Sequence, residues 1–121
     1  MWLISKHGFF SVVLADTAPG SGKADPEQMM IRARVRDHLV ALQAERPDLT
    51  ALPIVESGAG LDYRWRIVAP KAAVVAAITA LVEEVDYRNF KGAAARNRAV
   101  VGDDYVAALH AVWAEFRRLQ E

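Results

Sequence analysis

Arginines occupy every second position in two short segments of the chain. They are Arg32, Arg34 and Arg36 in the first segment, and Arg64 and Arg66 in the second. A β-strand turns successive side chains to opposite faces, so a period of two residues predicts strands and places all five arginines on one face of a sheet. The residues that alternate with them are apolar or aromatic and are expected to face a core: Ile31, Ala33, Val35, Tyr63, Trp65 and Ile67.

The overall composition is that of one ordinary globular domain. The chain has 121 residues, of which 53% are apolar and 25% are charged. Fifteen basic and fifteen acidic residues cancel, so no global field draws the protein to nucleic acid or to an anionic membrane. Binding of that kind would have to come from a local patch. The chain has no cysteine, which excludes disulfides and thiolate metal ligands and favours a reducing cytoplasm.

The apolar segments do not have the features of targeting or membrane-spanning sequences. The first ten residues include Lys6 and His7 and have no basic region before the apolar stretch, so no signal peptide is expected. The most apolar run, residues 72–85, is too short to cross a bilayer and contains glutamates. We therefore expect a single cytoplasmic domain over residues 1–121, without membrane attachment.

The order of the apolar periodicities predicts an α+β fold. Helical spacing predicts helices that begin near Asp37, Pro70 and Asp103 or Asp104. Residues 16–27 include two prolines and two glycines and are predicted to form a flexible loop. This order favours an antiparallel sheet with helices packed on one face, a two-layer sandwich of ferredoxin-like type. The predicted strands are rich in β-branched and aromatic residues and cover 2–5, 9–15, 29–35, 54–55 and 61–68.

The arginine pattern has three interpretations. The arginines can pair with carboxylates across strands, with Asp62, Glu56 and Asp16 as partners, and this is the simplest outcome. They can form an interface for another protein or for a second copy of the chain. They can also hold phosphates of a nucleic acid, but the alternation turns Tyr63 and Trp65 away from them, which argues against a surface for base stacking.

No other motif assembles a catalytic or metal-binding set. The segment PGSGK at residues 19–23 lacks the first glycine of a phosphate loop, where Thr17 stands, and has Ala24 in place of the Ser or Thr that would hold magnesium. The histidines at positions 7, 38 and 110 have no ligand spacing. We therefore predict no catalytic residues, no metal and no cofactor.

Several short motifs follow one another along the chain. They are Met1-Trp2, residues 8–11, Arg32 with Arg34, Asp62-Tyr63 with Arg66, residues 86–91, Trp113, and Leu119-Gln120. In these motifs the chain resembles an uncharacterised family of short bacterial proteins that has no known activity, so the resemblance implies a bacterial cytoplasmic domain and no function. It also implies that the family pattern includes Arg32, Arg34, Asp62, Arg66, Asn89 and Lys91.

The function predicted from these patterns is that of a non-catalytic binding or regulatory module. Its arginine-lined face would contact a protein partner or a second copy of the chain, with Asn89 and Lys91 as secondary candidates. One alternative is a nucleic-acid-binding protein. A further alternative is a small enzyme in which Arg64 or Arg66 clamps the carboxylate or phosphate of an anionic metabolite. The candidate binding residues are Arg32, Arg34, Arg36, Arg64 and Arg66.

Overall fold

The architecture is α+β, as predicted. The computed structural model describes residues 1–58 and 60–120. Five antiparallel strands form one sheet in the order β1-β2-β3-β5-β4. They are β1 (Trp2–Ser5), β2 (Gly8–Asp16), β3 (Ala24–Ala33), β4 (Val55–Glu56) and β5 (Trp65–Pro70). The helices are α1 (Arg36–Ala44), α2 (Pro47–Thr50), α3 (Lys71–Glu83), α4 (Phe90–Arg96), α5 (Arg98–Val101) and α6 (Asp103–Arg117), followed by a 3₁₀ turn, Arg118–Gln120. The ferredoxin-like order β-α-β-β-α-β is not confirmed.

One face of the sheet packs against α1 and α3. The alternation predicted for β3 and β5 is confirmed at Ile31, Ala33 and Ile67, which are all buried, and Trp65 packs partly buried against the same cluster. This burial of apolar side chains supplies most of the stabilisation that such a two-layer arrangement requires. The buried residues of this core are Phe10, Val12, Ile31, Ala33, Leu39, Leu42, Leu49, Ile67, Ala69, Val74, Ala77 and Leu81.

A second, smaller cluster forms among α4, α5 and α6. It includes the ring of Phe9, which follows the opposite parity from the core residue Phe10 and so belongs to the other face of the sheet. Two hydrogen bonds fix this cluster to the β1–β2 hairpin: the Tyr105 hydroxyl donates to the Ser5 carbonyl at 2.6 Å, and the Asn97 side chain donates to the Lys6 carbonyl at 2.7 Å. The buried members are Ala94, Val101, Tyr105, Val106 and Leu109.

The tight turn of the β1–β2 hairpin requires glycine. Gly8 has a φ of +148°, which L side chains rarely adopt, and a Cβ at this position would lie 2.4 Å from Cγ of His38. The backbone of β2 therefore approaches α1 more closely than any other residue would allow. The ring of His38 fills the space, and its Nδ1 accepts from the Phe9 amide at 3.4 Å.

The ends of the strands differ from those predicted. The strands β2 and β3 extend into the segment for which a loop was predicted, so the connection between them spans residues 17–23. Helix α1 begins at Arg36, directly after Val35, and Val35 is exposed rather than in the core.

The helices within residues 1–58 and 60–120 do not combine the length and the apolar character that a bilayer crossing requires.

Candidate functional site

One row of residues crosses four strands on the sheet face opposite the main core. Trp2 pairs with Ser11, Ser11 with Arg32, and Arg32 with Arg66. Residues directly opposite in an antiparallel sheet point to the same side, with Cβ atoms about 4.5–5.5 Å apart. Arg32 and Arg66 are therefore immediate neighbours. We call the surface formed by Ser11, Arg32, Arg34, Tyr63 and Arg66 the arginine face.

The prediction that all five arginines share this face is wrong for two of them. The guanidiniums of Arg36 and Arg64 lie 6.0 Å and 5.4 Å from the ring centroid of Trp65, which belongs to the main core. Arg36 is the first residue of α1, and Arg64 precedes β5. The two-residue period of a strand does not apply at either position, so their side chains turn elsewhere.

Tyr63 was predicted to face the core; it is buried, but on the side of Arg32 and Arg34 rather than opposite them. Its ring lies under the guanidiniums of Arg32 and Arg34, at 4.7 Å and 4.3 Å from their central carbons, and 6.5 Å from the ring of Phe9. Tyr63 precedes β5, so the alternation that begins at Trp65 does not reach it. The arginine face therefore has an aromatic base. Because Tyr63 is only 7% exposed, this ring is covered and is not a surface for stacking nucleic-acid bases.

Carboxylates neutralise some of the predicted arginines and not others. Arg34 holds Asp62 through Nε and Nη2, with a shortest separation of 3.0 Å, and Arg64 binds Glu56 at 2.6 Å. Within residues 1–58 and 60–120, Arg32 and Arg66 have no carboxylate at ion-pair distance. The predicted self-neutralisation thus applies to Arg34 and Arg64. Among the described residues it does not extend to Arg36, and it leaves the central pair, Arg32 and Arg66, uncompensated.

The contacts of Arg32 and Arg66 leave donors unused. Arg32 Nη2 donates to the Ser11 hydroxyl at 2.8 Å. Among the described residues, Arg66 reaches only the Met30 sulfur at 3.6 Å and the Tyr63 carbonyl at 3.5 Å. The Nε atoms of both arginines are buried and have no hydrogen-bond partner in the described part of the chain. Two half-buried arginines with unmet donors are therefore opposite residues in the register of β3 and β5.

An apolar groove adjoins the arginine face at Arg34. It has a volume of about 990 Å³ and runs between the β1–β2 hairpin and helix α6. The sheet side is formed by Trp2, Ile4 and Phe9, the helix side by Tyr105, Leu109, Val112 and Phe116, and the charged residues at its rim are Arg34, Asp37, Asp103 and Asp104. The helix itself was predicted from its helical spacing, but the groove was not, because periodicity does not reveal what lies opposite a helix.

A polar network at the hairpin turn brings together groups that are far apart in the sequence. His7 Nε2 lies 2.8 Å from one carboxylate oxygen of Glu84, and Arg46 binds the other oxygen. Glu45 approaches His7 Nε2 to 3.7 Å. Burial alone raises the pKa of Glu84, but the hydrogen bonds from Arg46 and His7 outweigh it and hold the pKa below its ordinary value.

The same network contains the candidate metal ligands of the described residues. The ligand atoms of His7, Glu45 and Glu84 all lie within 4.8 Å of one another, a donor set that divalent cations accept. Arg46 already pairs with Glu84, and the Nε–H of Arg46 is buried without a hydrogen-bond partner among the described residues. No sequence spacing could have identified the network, because His7 and Glu84 are 77 residues apart.

The secondary candidates lie on α4, away from the arginine face. Asn89 caps this helix, its side-chain oxygen accepting from the Gly92 amide at 3.1 Å. The ammonium of Lys91 lies 4.0 Å from the ring centroid of Trp113 on α6. Both residues therefore have contacts that position α4 and α6.

Comparison with known proteins adds no match to these observations. No protein-family model, no curated protein and no solved structure matches the chain significantly. The resemblance to short bacterial proteins therefore stays a prediction, and the geometry of the arginine face and the groove carries the functional argument.

Proposed function

We propose that this protein is a non-catalytic binding module that self-associates through the apolar groove beside the arginine face. The observation that supports the proposal is the unburied half of α6. Its apolar stripe begins with buried Tyr105 and Leu109 and continues with Phe116, which is 59% exposed. A helix whose apolar face continues past its packing partner presents a surface suited to a second protein.

The size of the groove fits a helix of a second copy. Two turns of an α-helix with a diameter of about 10 Å occupy roughly 850 Å³, close to the groove volume of about 990 Å³. The exposed half of α6, which covers two turns, is a segment of this length. A twofold axis would let the α6 helix of each copy enter the groove of the other.

The charges of α6 favour an antiparallel arrangement of two such helices. The helix begins with Asp103 and Asp104 and ends with Arg117, followed by Arg118. Antiparallel pairing places the basic end of one helix beside the acidic end of the other, and both pairs of contacts form at once. Complementary charges of this kind fix the register of an interface and exclude wrong partners.

Light scattering across a range of protein concentrations tests this proposal. We expect the mass of two chains for the unmodified protein. Phe116→Asp should weaken the dimer at least 100-fold, because each buried aromatic side chain contributes about 1.5–3 kcal/mol and the symmetry counts it twice. Val82→Asp is the matched control, since Val82 is exposed to a similar extent, 68%, but lies on α3, outside the groove.

Two further variants test the predicted orientation. Reversing the acidic end of α6 with Asp103→Lys and Asp104→Lys should weaken the dimer, and adding Arg117→Glu and Arg118→Glu should restore it. A single-chain mass for the unmodified protein at every concentration would contradict the proposal, as would equal weakening by Phe116→Asp and Val82→Asp.

A further inference from the structure

We propose that Arg32 and Arg66 form a binding site for a phosphate group that carries two negative charges, as free phosphate or as a phosphate monoester. This proposal is independent of self-association, because neither arginine lines the groove. It starts from the register of the sheet, which makes Arg32 on β3 and Arg66 on β5 directly opposite residues on one face.

The central pair lacks the compensation that its neighbours have. Like charges directly opposite each other in a sheet are destabilising. Arg34 and Arg64 are each neutralised, by Asp62 and Glu56, whereas the described residues offer Arg32 and Arg66 no carboxylate. An anion bound between the two guanidiniums would remove their repulsion, and this relief is part of the free energy of binding.

The hydrogen-bonding groups around the pair also point to an oxyanion. Buried donors in folded proteins are nearly always satisfied, so an unmet donor in a native structure needs an explanation. Here the Nε–H groups of Arg32 and Arg66 are both unmet. The Ser11 hydroxyl lies within hydrogen-bonding distance of Arg32, and the Tyr63 ring supports the plane of that guanidinium. Arginine donates two parallel hydrogen bonds to an oxyanion, so a small rotation of each side chain would present four donors.

The charge of the pair selects the class of anion. A phosphate monoester carries about −1.5 to −2 charges at pH 7, which matches two guanidiniums, whereas a carboxylate or a phosphate diester carries only one. The site should therefore prefer inorganic phosphate to acetate. It should also prefer a monoester to dimethyl phosphate, which has the chemistry of a nucleic-acid backbone.

Titration of the unmodified protein with inorganic phosphate tests the site directly by NMR. The Nε–H resonances of Arg32 and Arg66 should shift together and saturate, while that of exposed Arg88 should not follow the same curve. Acetate and dimethyl phosphate at equal ionic strength should give affinities at least tenfold lower. Phenyl phosphate, a monoester, should bind at least as tightly as inorganic phosphate if the natural ligand is an ester, and more weakly if the site holds the free ion; both results support a dianion site.

Variants separate this site from a general effect of positive charge. Arg32→Gln and Arg66→Gln should each lower phosphate affinity at least tenfold. Arg64→Gln removes an arginine that Glu56 already neutralises and should change the affinity less than twofold, and Phe116→Asp should leave it unchanged. Uniform, non-saturating shifts of all arginine resonances would overturn the proposal, as would equal affinities for phosphate and dimethyl phosphate, or an equal loss in Arg64→Gln.

Discussion

The ion pair between Arg46 and Glu84 offers a direct test of how burial controls the strength of a charge interaction in this fold. The Arg46 side chain is 10% exposed and that of Glu84 is 20% exposed. Arg46→Met leaves the Glu84 carboxylate mostly buried, with His7 as its remaining partner. Removing one member of a buried pair costs about 3–5 kcal/mol. Because Glu84 retains some solvent contact, we expect the lower end, about 3 kcal/mol.

Urea unfolding measures this loss, with a double-mutant cycle to isolate the pair. With a slope of about 1–3 kcal/mol per molar urea, Arg46→Met should lower the midpoint by about 1–3 M. Combining it with Glu84→Gln should give a coupling energy of about 1.5–3 kcal/mol, since contacting residues in one network are not additive. The double variant should therefore be much less destabilised than the sum of the single variants.

The exposed pair of Arg34 and Asp62 is the matched control. It also joins an arginine to a carboxylate, and through more hydrogen bonds than the Arg46–Glu84 pair, but its side chains are 46% and 68% exposed. Exposed pairs contribute about 0.2–1 kcal/mol because solvent screens them, so its coupling energy should be several-fold smaller. Equal coupling energies for the two pairs would refute the argument that burial sets the difference.

The pH dependence of the coupling gives the same test a second readout. The folded pKa of Glu84 lies below the ordinary value of 4.5. The unfolded chain therefore takes up the proton first as pH falls. The stabilisation is fully present above the ordinary pKa of the carboxyl and is lost as pH falls through the folded pKa. A coupling energy that stays constant as the pH is lowered from 7 to well below 4.5, the ordinary pKa of this carboxyl, would contradict the role assigned to the ionised carboxylate.

Two further predictions concern the hairpin turn. Gly8→Ala should destabilise the fold by about 3 kcal/mol or more in urea unfolding, because strained backbone and overpacking add where a Cβ would meet His38 at 2.4 Å. Gly102 has a φ of +89° and a ψ of 153° but open space around it. Gly102→Ala should therefore cost the backbone strain alone, about 1–3 kcal/mol, and a loss as large as that of Gly8→Ala would contradict this explanation. Burial lowers the pKa of His38 below 6.5, so the unfolded chain binds the proton first and stability should fall as pH drops below about 6.5. His38→Gln should flatten that slope in unfolding curves measured from pH 7.5 to 5, and an unchanged slope would assign it to another group.

The sequence predicted the fold well where a single period extended through the interior of an element. In the middle of β3 and β5 the alternation places Ile31 and Ile67 in the core and Arg32 and Arg66 opposite them. At the ends of the strands the period stops, and Tyr63 turned to the face predicted for the arginines. Where a strand ends depends on tertiary packing, which the local pattern does not contain.

The candidate site was predictable in part, because its central residues lie where the alternation of β3 and β5 is regular. Alternation alone was enough to place Arg32 and Arg66 on one face, but their direct opposition depends on the register of β3 against β5. Register follows from the whole sheet and from its turns. The division into neutralised and unneutralised arginines depends on the path of the loop that carries Asp62, which no periodicity describes.

The four-residue hairpin turn has a consequence for how this chain can be altered. Tips of hairpins usually tolerate insertion and permutation because they are exposed and contact little else. Here, Ser5 and Lys6 accept hydrogen bonds from α6 and from the end of α4, His7 binds the carboxylate that follows α3, and Gly8 lies against His38 of α1. A new chain terminus or an inserted peptide at this turn would disturb its contacts with four helices at once. The wider connection between β2 and β3, residues 17–23, is the better place for a tag or a permuted end.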